Sequence, residues 1–312
     1  MKVLLNYRFS DDKMKMLEDL GCELMYIPNR EMKDRDDYYD AEVWFTYDSF
    51  QHVEMEKFEN LKLIILTSTG VDMVPQDFVH ENNIMVANNK EGYSIPIAES
   101  IVMYILEVFK NSYQSYKKQE MRIWNMDLSW MELAGKRIGF LGTGTISKCA
   151  AKRLKGFDVD MWGVNTDGRD VEGFSKCFAL ENSDEFFREC DVIVGVMPET
   201  PDTTHVIDSI RLEMMKEDST LINVGRGNLI DLRALEKYID KFRGVVLDVV
   251  EKEPLDVTSY LWDQDNVIIT AHNSWVSDNN WDRRFEHLYR NLKSYAETGI
   301  PENSVKNIRR GY

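Results

Sequence analysis

Short runs of apolar residues alternate with amphipathic segments along the N-terminal third of the chain. The apolar runs are KVLLNY, CELMYIP, AEVWFTY, LKLIILTSTG and IMVANN, and segments between them such as DDKMKMLEDLG have helical periodicity. Strands that alternate with helices are typical of βαβ units, whose strands pair in a parallel sheet. The pattern therefore predicts an α/β domain at the N-terminus.

A second series of apolar runs follows in the middle of the chain. These runs are KRIGFLGTG, VDMWGVN, DVIVGVM, STLINVG, GVVLDVV and NVIIT, each nearly continuous in Val, Ile and Leu. Strands buried on both faces of a parallel sheet have this composition. We therefore predict two α/β domains, in agreement with a length of 312 residues, which exceeds what one core usually fills.

Two long helices flank the second series. The segment SIPIAESIVMYILEVFKNSYQSYKKQE predicts one continuous helix from Ser94, with a proline near its start and lysines near its end. The following MRIWNMDLSWMELAG lacks periodicity and predicts an irregular segment on the surface of the second domain. A C-terminal helix is predicted in VSDNNWDRRFEHLYRNLKSYAETG, which ends at Gly299.

Composition and charge limit the classes of partner. Hydrophobic residues make up 43% and charged residues 29% of the chain, as in folded globular proteins. The formal net charge is −16, whereas nucleic acids and anionic membranes attract basic surfaces. We expect no nucleic-acid partner and no membrane partner, and any anionic ligand needs a local positive site.

Cysteine spacing and hydropathy bear on the cellular compartment. The four cysteines, Cys22, Cys149, Cys177 and Cys190, form no CxxC pair and no metal-ligand spacing with histidine. We therefore expect reduced thiols and no metal. The chain has no uninterrupted apolar run of about 18 residues, which predicts a cytoplasmic protein without membrane spans.

A glycine-rich loop separates the predicted strand KRIGFL from the predicted helix KCAAKRLKG. The loop has the sequence Gly142-Thr143-Gly144-Thr145-Ile146, followed by Ser147 where a dinucleotide-binding fingerprint has its third glycine. Glycines suit this turn because the backbone must approach a pyrophosphate, whose charge rests on free N–H groups at a helix N-terminus. The loop predicts a dinucleotide site, and the alternative is an ordinary βα turn.

The end of the next predicted strand, VDMWGVN, bears on which dinucleotide binds. Roughly 20 residues after the glycine loop, an NAD site presents an acidic side chain to the ribose 2′-hydroxyl. Here the strand ends at neutral Asn165 and Thr166, with Arg169 close behind. These residues would tolerate or bind a 2′-phosphate, so we expect NADP rather than NAD unless Asp167 turns toward the ribose.

Three further motifs follow predicted strands of the second domain. They are Asn223-Val224-Gly225-Arg226-Gly227, DVVEKEP from Asp248 to Pro254, and Thr270-Ala271-His272-Asn273. Reduction of a 2-keto acid needs a cation to hold the carboxylate and polarise the ketone, and an acid to protonate the carbonyl oxygen. An arginine and a carboxylate-paired histidine suit these tasks. Each residue alone is more often a surface ion pair or cap, but their joint occurrence at three strand ends indicates a catalytic set.

In this order, the glycine loop and the three motifs resemble the D-isomer-specific 2-hydroxyacid dehydrogenase family, over nearly the whole chain. The resemblance implies that Arg226 binds substrate and that His272 is the proton donor. It further implies that Glu253 hydrogen-bonds this histidine and that Asp248 lies near the nicotinamide. Glu251 is expected to be a surface charge.

The resemblance assigns further binding residues. LTSTGVD resembles the family's loop whose backbone amides hold the substrate carboxylate, which points to Thr69, Gly70 and Val71. The alternative for this loop is a glycine turn after a strand. Two segments, MPETPDTTHVID and NVGRGNLID, match the family along its cofactor cleft. They assign four residues to the cofactor: Met197, Pro198, Val224 and Gly225.

The match departs from the family at the histidine. The family commonly has Pro-His-Ile-Gly there, whereas this chain has Ala271-His272-Asn273-Ser274-Trp275. A bulky aromatic residue, Trp275, is therefore expected near the pocket. Two interpretations stay open: Trp275 narrows the choice of substrate, or it packs against the other domain.

The resemblance also implies an architecture of two Rossmann-like or flavodoxin-like, doubly wound parallel-sheet domains separated by a cleft. Residues 1–95 and 286–312 would form a discontinuous substrate-binding domain. Residues 96–285 would form the NAD(P)-binding Rossmann domain, and these cofactor domains would pair in a homodimer.

The leading hypothesis is NAD(P)H-dependent reduction of a small 2-keto acid, such as glyoxylate or hydroxypyruvate, to the D-2-hydroxy acid. The alternative is a catalytically silent dinucleotide-binding sensor or corepressor-like protein, since a fold alone does not determine function. The complete set of Arg226, Glu253 and His272 favours the enzyme.

Overall fold

The computed structural model describes residues 1–308 and divides into two compact units. Unit 1 comprises Met1–Tyr93 together with the chain from Ser277, and unit 2 comprises Ser94–Val276. The sequence-based boundaries, at 95/96 and 285/286, lie two and nine residues beyond these divisions. Residues 309–312, which the sequence assigned to the first domain, lie outside the described residues.

Strands form at each of the apolar runs that predicted them. In chain order the strands are β1 (Lys2–Leu5), β2 (Glu23–Tyr26), β3 (Val43–Thr46), β4 (Leu63–Leu66), β5 (Met85–Ala87), β6 (Arg137–Leu141), β7 (Asp160–Asn165), β8 (Lys176–Ala179), β9 (Val192–Gly195), β10 (Thr220–Asn223), β11 (Gly244–Leu247) and β12 (Val267–Ile269). The order in unit 1 is β2-β1-β3-β4-β5, and in unit 2 it is β12-β11-β10-β9-β6-β7-β8. All of these pairings are parallel, so the predicted α/β fold class is confirmed.

Helices and short 3-10 turns connect the strands. In chain order the α-helices are α1 (Asp11–Glu18), α2 (Gln76–Glu81), α3 (Ser94–Phe109), α4 (Ser112–Glu120), α5 (Thr145–Leu154), α6 (Asp184–Glu189), α7 (Ser209–Met214), α8 (Leu232–Tyr238) and α9 (Asn280–Thr298). Helix α9 ends as predicted, with Gly299 in the left-handed conformation. Within residues 1–308, no helix combines the length and the apolar character needed to cross a membrane.

Both faces of the unit 1 sheet are buried, because alternate residues of a strand point to opposite faces. Val3 and Leu5 of β1 lie in one apolar cluster with Leu288 and Leu292 of α9. Leu4 lies in the cluster on the opposite face. Since α9 supplies part of this core, unit 1 is built from both ends of the chain.

The single helix predicted from Ser94 is wrong in one respect, because the helix breaks after Phe109. Asn111 has φ of +46°, a left-handed conformation that asparagine tolerates but that a right-handed helix cannot contain. Its side-chain amide donates to Asp127 Oδ2 at 3.0 Å, and Lys110 Nζ donates to the Met131 carbonyl at 2.8 Å. These bonds tie the break to the irregular segment 121–135, and α4 then begins at Ser112.

Strand β8 has no counterpart among the predicted strands. Only Phe178 of its four residues is buried, so it lacks the continuous apolar run of its neighbours. It lies at the edge of the sheet beside β7, where a strand needs fewer buried side chains.

The direction of strand addition reverses once in each sheet. This reversal lies between β1 and β3 in unit 1 and between β6 and β9 in unit 2. Open parallel sheets bind ligands outside the carboxyl ends of their strands, at such switch points. The loops that follow these strands are therefore where a site is expected in each unit.

Candidate active site

The glycine loop connects β6 to α5, as the dinucleotide fingerprint requires. Gly142 has φ of +104°, a backbone conformation that other residues rarely adopt, and a Cβ there would lie 3.3 Å from the Val196 carbonyl oxygen. Both the conformation and the close contact favour glycine at this position. Gly144 caps α5, and a Cβ there would meet no protein atom within 4 Å. Glycine at 144 therefore leaves open a space that the protein itself does not use, which suits a pyrophosphate.

Free amides lie beside that space. Among the described residues, the backbone nitrogens of Thr143, Gly144 and Ile146 donate to no protein acceptor. Such N–H groups at the start of a ten-residue helix can hold the charge of a phosphate group. The residues present thus fit a dinucleotide.

Ser147 occupies the position of the third glycine of the fingerprint, and its side chain fits inside the turn. Its side chain is buried, and its hydroxyl donates to the Gly142 carbonyl at 2.6 Å. This bond satisfies the hydroxyl inside the turn and explains how serine is accommodated there.

The residues after β7 form their own hydrogen-bonded turn. Asn165 is buried, and its amide donates to the Arg169 carbonyl at 2.9 Å, while Thr166 is exposed. Arg169 and Asp167 form an exposed ion pair at 2.6 Å. The guanidinium of Arg169 lowers the pKa of Asp167. Asp167 therefore neutralises the cation that the sequence assigned to a 2′-phosphate.

Three strand ends of unit 2 meet beside the glycine loop. Met197 Cγ lies 3.4 Å from a Cβ built on Gly142, and the Met197 carbonyl lies 3.0 Å from one built on Gly225. Pro198, the residue after Met197, is exposed, and Val224, the residue before Gly225, is buried. The structure thus brings together the cofactor-cleft residues predicted after β6, β9 and β10.

Asn223 shapes the turn that presents Arg226. Its side-chain oxygen accepts from the Gly225 nitrogen at 3.1 Å, and its amide donates to the Arg226 carbonyl at 2.8 Å. Arg226 is partly buried, and its Nη1 donates to the Gly225 carbonyl at 2.9 Å. The asparagine of the motif therefore holds the backbone on both sides of the arginine.

His272 and Glu253 form a direct pair. His272 Nδ1 lies 2.9 Å from Glu253 Oε2, and both side chains are 41% exposed. Since the carboxylate accepts, Nδ1 carries the proton of this bond. The His272 backbone has φ of +53°, a left-handed conformation that is uncommon for histidine. Such strain is often found at functional sites.

Asp248 holds the loop on which His272 lies. The carboxylate is buried and accepts from Thr270 Oγ1 at 2.7 Å and from the Asn273 nitrogen at 2.8 Å. It also accepts from the nitrogen and the hydroxyl of Ser274. The His272 nitrogen donates to the Asp248 carbonyl at 2.8 Å. This residue therefore fixes the strained loop through both its side chain and its backbone.

Sequence reasoning missed a second histidine–glutamate pair in unit 2. His205 Nε2 lies 3.2 Å from Glu251 Oε1, and the same oxygen accepts from the Leu232 nitrogen at 3.2 Å. Glu251 thus connects the loop after β9 to the start of α8, instead of serving only as a surface charge. The two residues are 46 positions apart, and only the fold brings them together.

The loop after β4 in unit 1 has an unusual division of its hydrogen bonds. Three successive carbonyl oxygens, from Thr67 to Thr69, accept bonds from Asn88, Asn89 and Tyr93. By contrast, the backbone nitrogens of residues 68–71 donate to no acceptor among the described residues. The loop therefore offers amides, including those of Thr69, Gly70 and Val71, to an anionic ligand.

His287 of α9 supports the strand end before this loop. Its Nε2 donates to the Leu66 carbonyl at 3.1 Å, so Nδ1 is the acceptor and lies 3.1 Å from the Asn291 amide. Burial lowers the pKa of His287 to about 4, although the Leu66 bond opposes that shift. The ring is therefore neutral near pH 7 and has a structural role.

No group of three or more His, Cys, Asp and Glu side chains within residues 1–308 is arranged to hold a metal ion. The groups described above include backbone amides, which are suited to binding anions, and the imidazole of His272, which is suited to moving a proton.

The chain is similar to known proteins in both sequence and fold. The model of the D-isomer specific 2-hydroxyacid dehydrogenase NAD binding domain matches residues 102–274. Glyoxylate reductase from Thermofilum pendens is 30% identical over 84% of this chain and 80% of its own length. D-3-phosphoglycerate dehydrogenase from Methanocaldococcus jannaschii is 29% identical over 87% of this chain, which spans about half (53%) of that relative. A solved D-isomer specific 2-hydroxyacid dehydrogenase family protein from Aeromonas salmonicida subsp. salmonicida is 26% identical, with a TM-score of 0.83 and 98% of each chain covered.

Proposed function

Because the chain belongs to the D-isomer specific 2-hydroxyacid dehydrogenase family and is an NAD(P)-dependent oxidoreductase, we propose that it reduces a short 2-keto acid to the D-2-hydroxy acid. Glyoxylate and hydroxypyruvate are the proposed substrates. The observation that carries the proposal is the 2.9 Å pair of His272 and Glu253 on a loop fixed by Asp248.

Each polar residue of unit 2 has a defined task in this proposal. Bound NAD(P)H supplies the hydride. Glu253 accepts a hydrogen bond from the Nδ1–H of His272, which keeps the imidazole oriented, and the Nε2–H then protonates the carbonyl oxygen. Arg226 holds the carboxylate and polarises the ketone. Asp248 keeps the histidine loop in place near the nicotinamide.

Unit 1 is proposed to be the substrate-binding domain, and unit 2 the NAD(P)-binding domain. The support in unit 1 is the set of open amides at Thr69, Gly70 and Val71, which suit a carboxylate without adding a charge. The support in unit 2 is the open space at Gly144 with its adjacent amides.

We propose NADP as the preferred form of the cofactor. Asn165 replaces the acidic residue that would repel a 2′-phosphate, and Arg169 lies on the exposed side of the same turn. Binding of the phosphate requires Arg169 to exchange its bond with Asp167 for one with the ligand. The preference for NADP over NAD is therefore smaller than it would be if Arg169 were not paired with Asp167.

A homodimer is proposed from the irregular segment after α4. Large apolar side chains of this segment are exposed, among them Trp124 at 102%, Met126 at 83% and Leu128 at 86%. Contiguous exposed apolar residues mark surfaces that bind other proteins, and the family resemblance implies a second copy of this chain. Light scattering of the purified protein tests this, and Trp124→Ser with Met126→Ser should shift a dimer toward monomer.

The test of function is oxidation of NADPH and NADH with glyoxylate, hydroxypyruvate, pyruvate and 2-ketoisocaproate, with His272→Ala as the control. Turnover that disappears in the variant supports the dehydrogenase, and the two rates compare the cofactors. Tight cofactor binding without turnover of any keto acid contradicts it and indicates the dinucleotide-binding sensor instead.

A further inference from the structure

A cationic side chain lies among aromatic rings at the carboxyl edge of the unit 1 sheet. The guanidinium carbon of Arg284, on α9, lies 5.0 Å from the ring centre of Trp281. It lies 5.8 Å from that of Tyr7, which follows β1, and 5.9 Å from that of Tyr93. Burial raises the pKa of Tyr7, and the charge of Arg284 opposes this rise. We call Arg284 and these three rings the arginine cluster.

Hydrogen bonds join the arginine cluster to the open-amide loop after β4. Arg284 Nε donates to Tyr93 Oη at 2.9 Å, and that hydroxyl donates to the Thr67 carbonyl at 2.6 Å. The backbone nitrogens that donate to no described acceptor begin at the next residue, Ser68. The guanidinium is therefore held one side chain away from amides suited to a carboxylate.

The cluster lies at the switch point of the unit 1 sheet and reaches the surface. Tyr7 follows β1, and the loop after β3 begins with Tyr47, which is 40% exposed. Trp281 is 49% exposed. Aromatic faces hold the plane of a guanidinium and thereby orient its N–H groups, which suit a carboxylate in two-point contact. In a chain of net charge −16, this is a local positive site.

We propose that Arg284 recognises a second anionic group, a carboxylate, on the substrate. The chain would then reduce 2-keto dicarboxylic acids more efficiently than monocarboxylic acids of the same length, and glyoxylate and hydroxypyruvate would be slower substrates. The inference rests on the proposed function for its kinetic test, but the binding measurement below does not.

The kinetic test compares acids matched in length. For wild type, kcat/KM is measured with 2-oxoglutarate and 2-oxopentanoate, and with oxaloacetate and 2-oxobutyrate. Arg284→Met removes the charge, Arg284→Gln removes it but keeps a donor for Tyr93, and Arg284→Lys keeps the charge. Arg283→Met is the matched control, since Arg283 is the adjacent arginine on α9 and donates to Ser277 Oγ.

Wild type should prefer each dicarboxylic acid by about tenfold or more, the usual effect of a charge-assisted hydrogen bond. Arg284→Met and Arg284→Gln should lose this preference through KM, Arg284→Lys should retain part of it, and Arg283→Met should retain all of it. Wild type without a preference, or a preference that survives both charge-removing variants, overturns the inference. If Arg284→Met does not fold, as judged by thermal unfolding, the Gln and Lys variants decide.

Calorimetric binding separates this inference from the proposed function, because it needs no turnover. D-malate and D-2-hydroxybutyrate are titrated into wild type and into the same variants. Tighter binding of D-malate that depends on Arg284 supports the inference even if no keto acid is reduced. Turnover of keto acids combined with equal binding of the two hydroxy acids leaves the dehydrogenase intact and refutes the role of Arg284.

Discussion

The histidine loop of unit 2 and the loop after β4 in unit 1 use opposite parts of the chain to present their polar groups. In unit 2, His272 presents a side chain, and its loop is fixed by four donor groups that bind the buried carboxylate of Asp248. In unit 1, residues 68–71 present backbone amides, while the carbonyls of the loop are bound by Asn88, Asn89 and Tyr93. Proton transfer needs a titratable side chain, whereas holding an anion needs only oriented N–H groups.

This difference determines what a substitution can reveal. Where a side chain acts, its removal should abolish a chemical step and leave binding intact. Where backbone amides bind the ligand, replacement of a side chain should change ligand binding little. Ligand binding should change only if the backbone geometry changes or if a new group fills the space next to the amides.

The largest effect is expected from His272→Asn. Asparagine tolerates the left-handed conformation of residue 272, so the loop should keep its shape while the proposed proton donor is lost. We expect kcat with the best keto acid to fall by roughly 10²–10⁴-fold, the usual contribution of a general acid. Steady-state kinetics measures this, and fluorescence titration should show unchanged affinity for NADPH.

Glu253→Gln is the control for this comparison. It keeps an acceptor for Nδ1 but removes the charge, so its kcat should lie between wild type and His272→Asn. A His272→Asn variant with wild-type kcat would show that another group protonates the carbonyl oxygen.

The second prediction concerns His287, whose buried ring is neutral. Its pKa is about 4 when folded and 6.5 ordinarily, so the unfolded chain takes up the proton first as the pH falls. The stability that depends on a neutral His287 is therefore complete above pH 6.5 and is lost progressively down to about pH 4. This loss should reach about 3 kcal/mol.

Urea unfolding of wild type and His287→Gln between these pH values measures the effect. The difference in free energy of unfolding between the two proteins should shrink as the pH falls, because glutamine does not titrate. A difference that is constant with pH would mean that the ring has the same pKa in the folded and the unfolded protein.

The third prediction, with a smaller effect, is that alanine substitutions at two glycines of the glycine loop have different consequences. Gly144→Ala places a methyl group where no protein atom lies within 4 Å, so the thermal unfolding temperature should be unchanged. The affinity for NADPH should fall by about tenfold or more, because the methyl group would occupy the space proposed for the pyrophosphate. Gly142→Ala should instead lower the unfolding temperature, since φ is +104° and the Val196 carbonyl is 3.3 Å from the new methyl group. Equal affinity in Gly144→Ala would place the pyrophosphate elsewhere.

The sequence was sufficient for much of unit 2. Continuous apolar runs predicted every strand of its sheet except β8, whose exposed edge position removes that signal. The pairing of Glu253 with His272 was expected from the family resemblance of the motifs that contain them, and both motifs follow strands of the unit 2 sheet. The break at Asn111 was not predicted, since it depends on contacts with Asp127 and Met131 that local periodicity does not contain.

The polar groups of unit 1 were harder to predict. Backbone amides leave no trace in side-chain identity, so only the resemblance pointed to Thr69, Gly70 and Val71. Arg284 lies far from that loop in sequence, and the bond through Tyr93 exists only because α9 folds onto the unit 1 sheet. Likewise His205 and Glu251 are connected by the fold of unit 2 alone.

The smallest expected effect tests the backbone interpretation of unit 1 directly. Thr69 Oγ1 donates to the Asn89 carbonyl at 3.0 Å, so Thr69→Val removes a hydroxyl that is already used inside the protein. The free energy of unfolding should fall by about 1 kcal/mol, and KM for the keto acid should change by less than about threefold. Ser68→Ala is the matched control, because its hydroxyl donates to the Gly70 carbonyl in the same loop. A KM that rises tenfold or more in Thr69→Val but not in Ser68→Ala would show that the threonine hydroxyl contacts the substrate, and that unit 1 also acts through a side chain at this position.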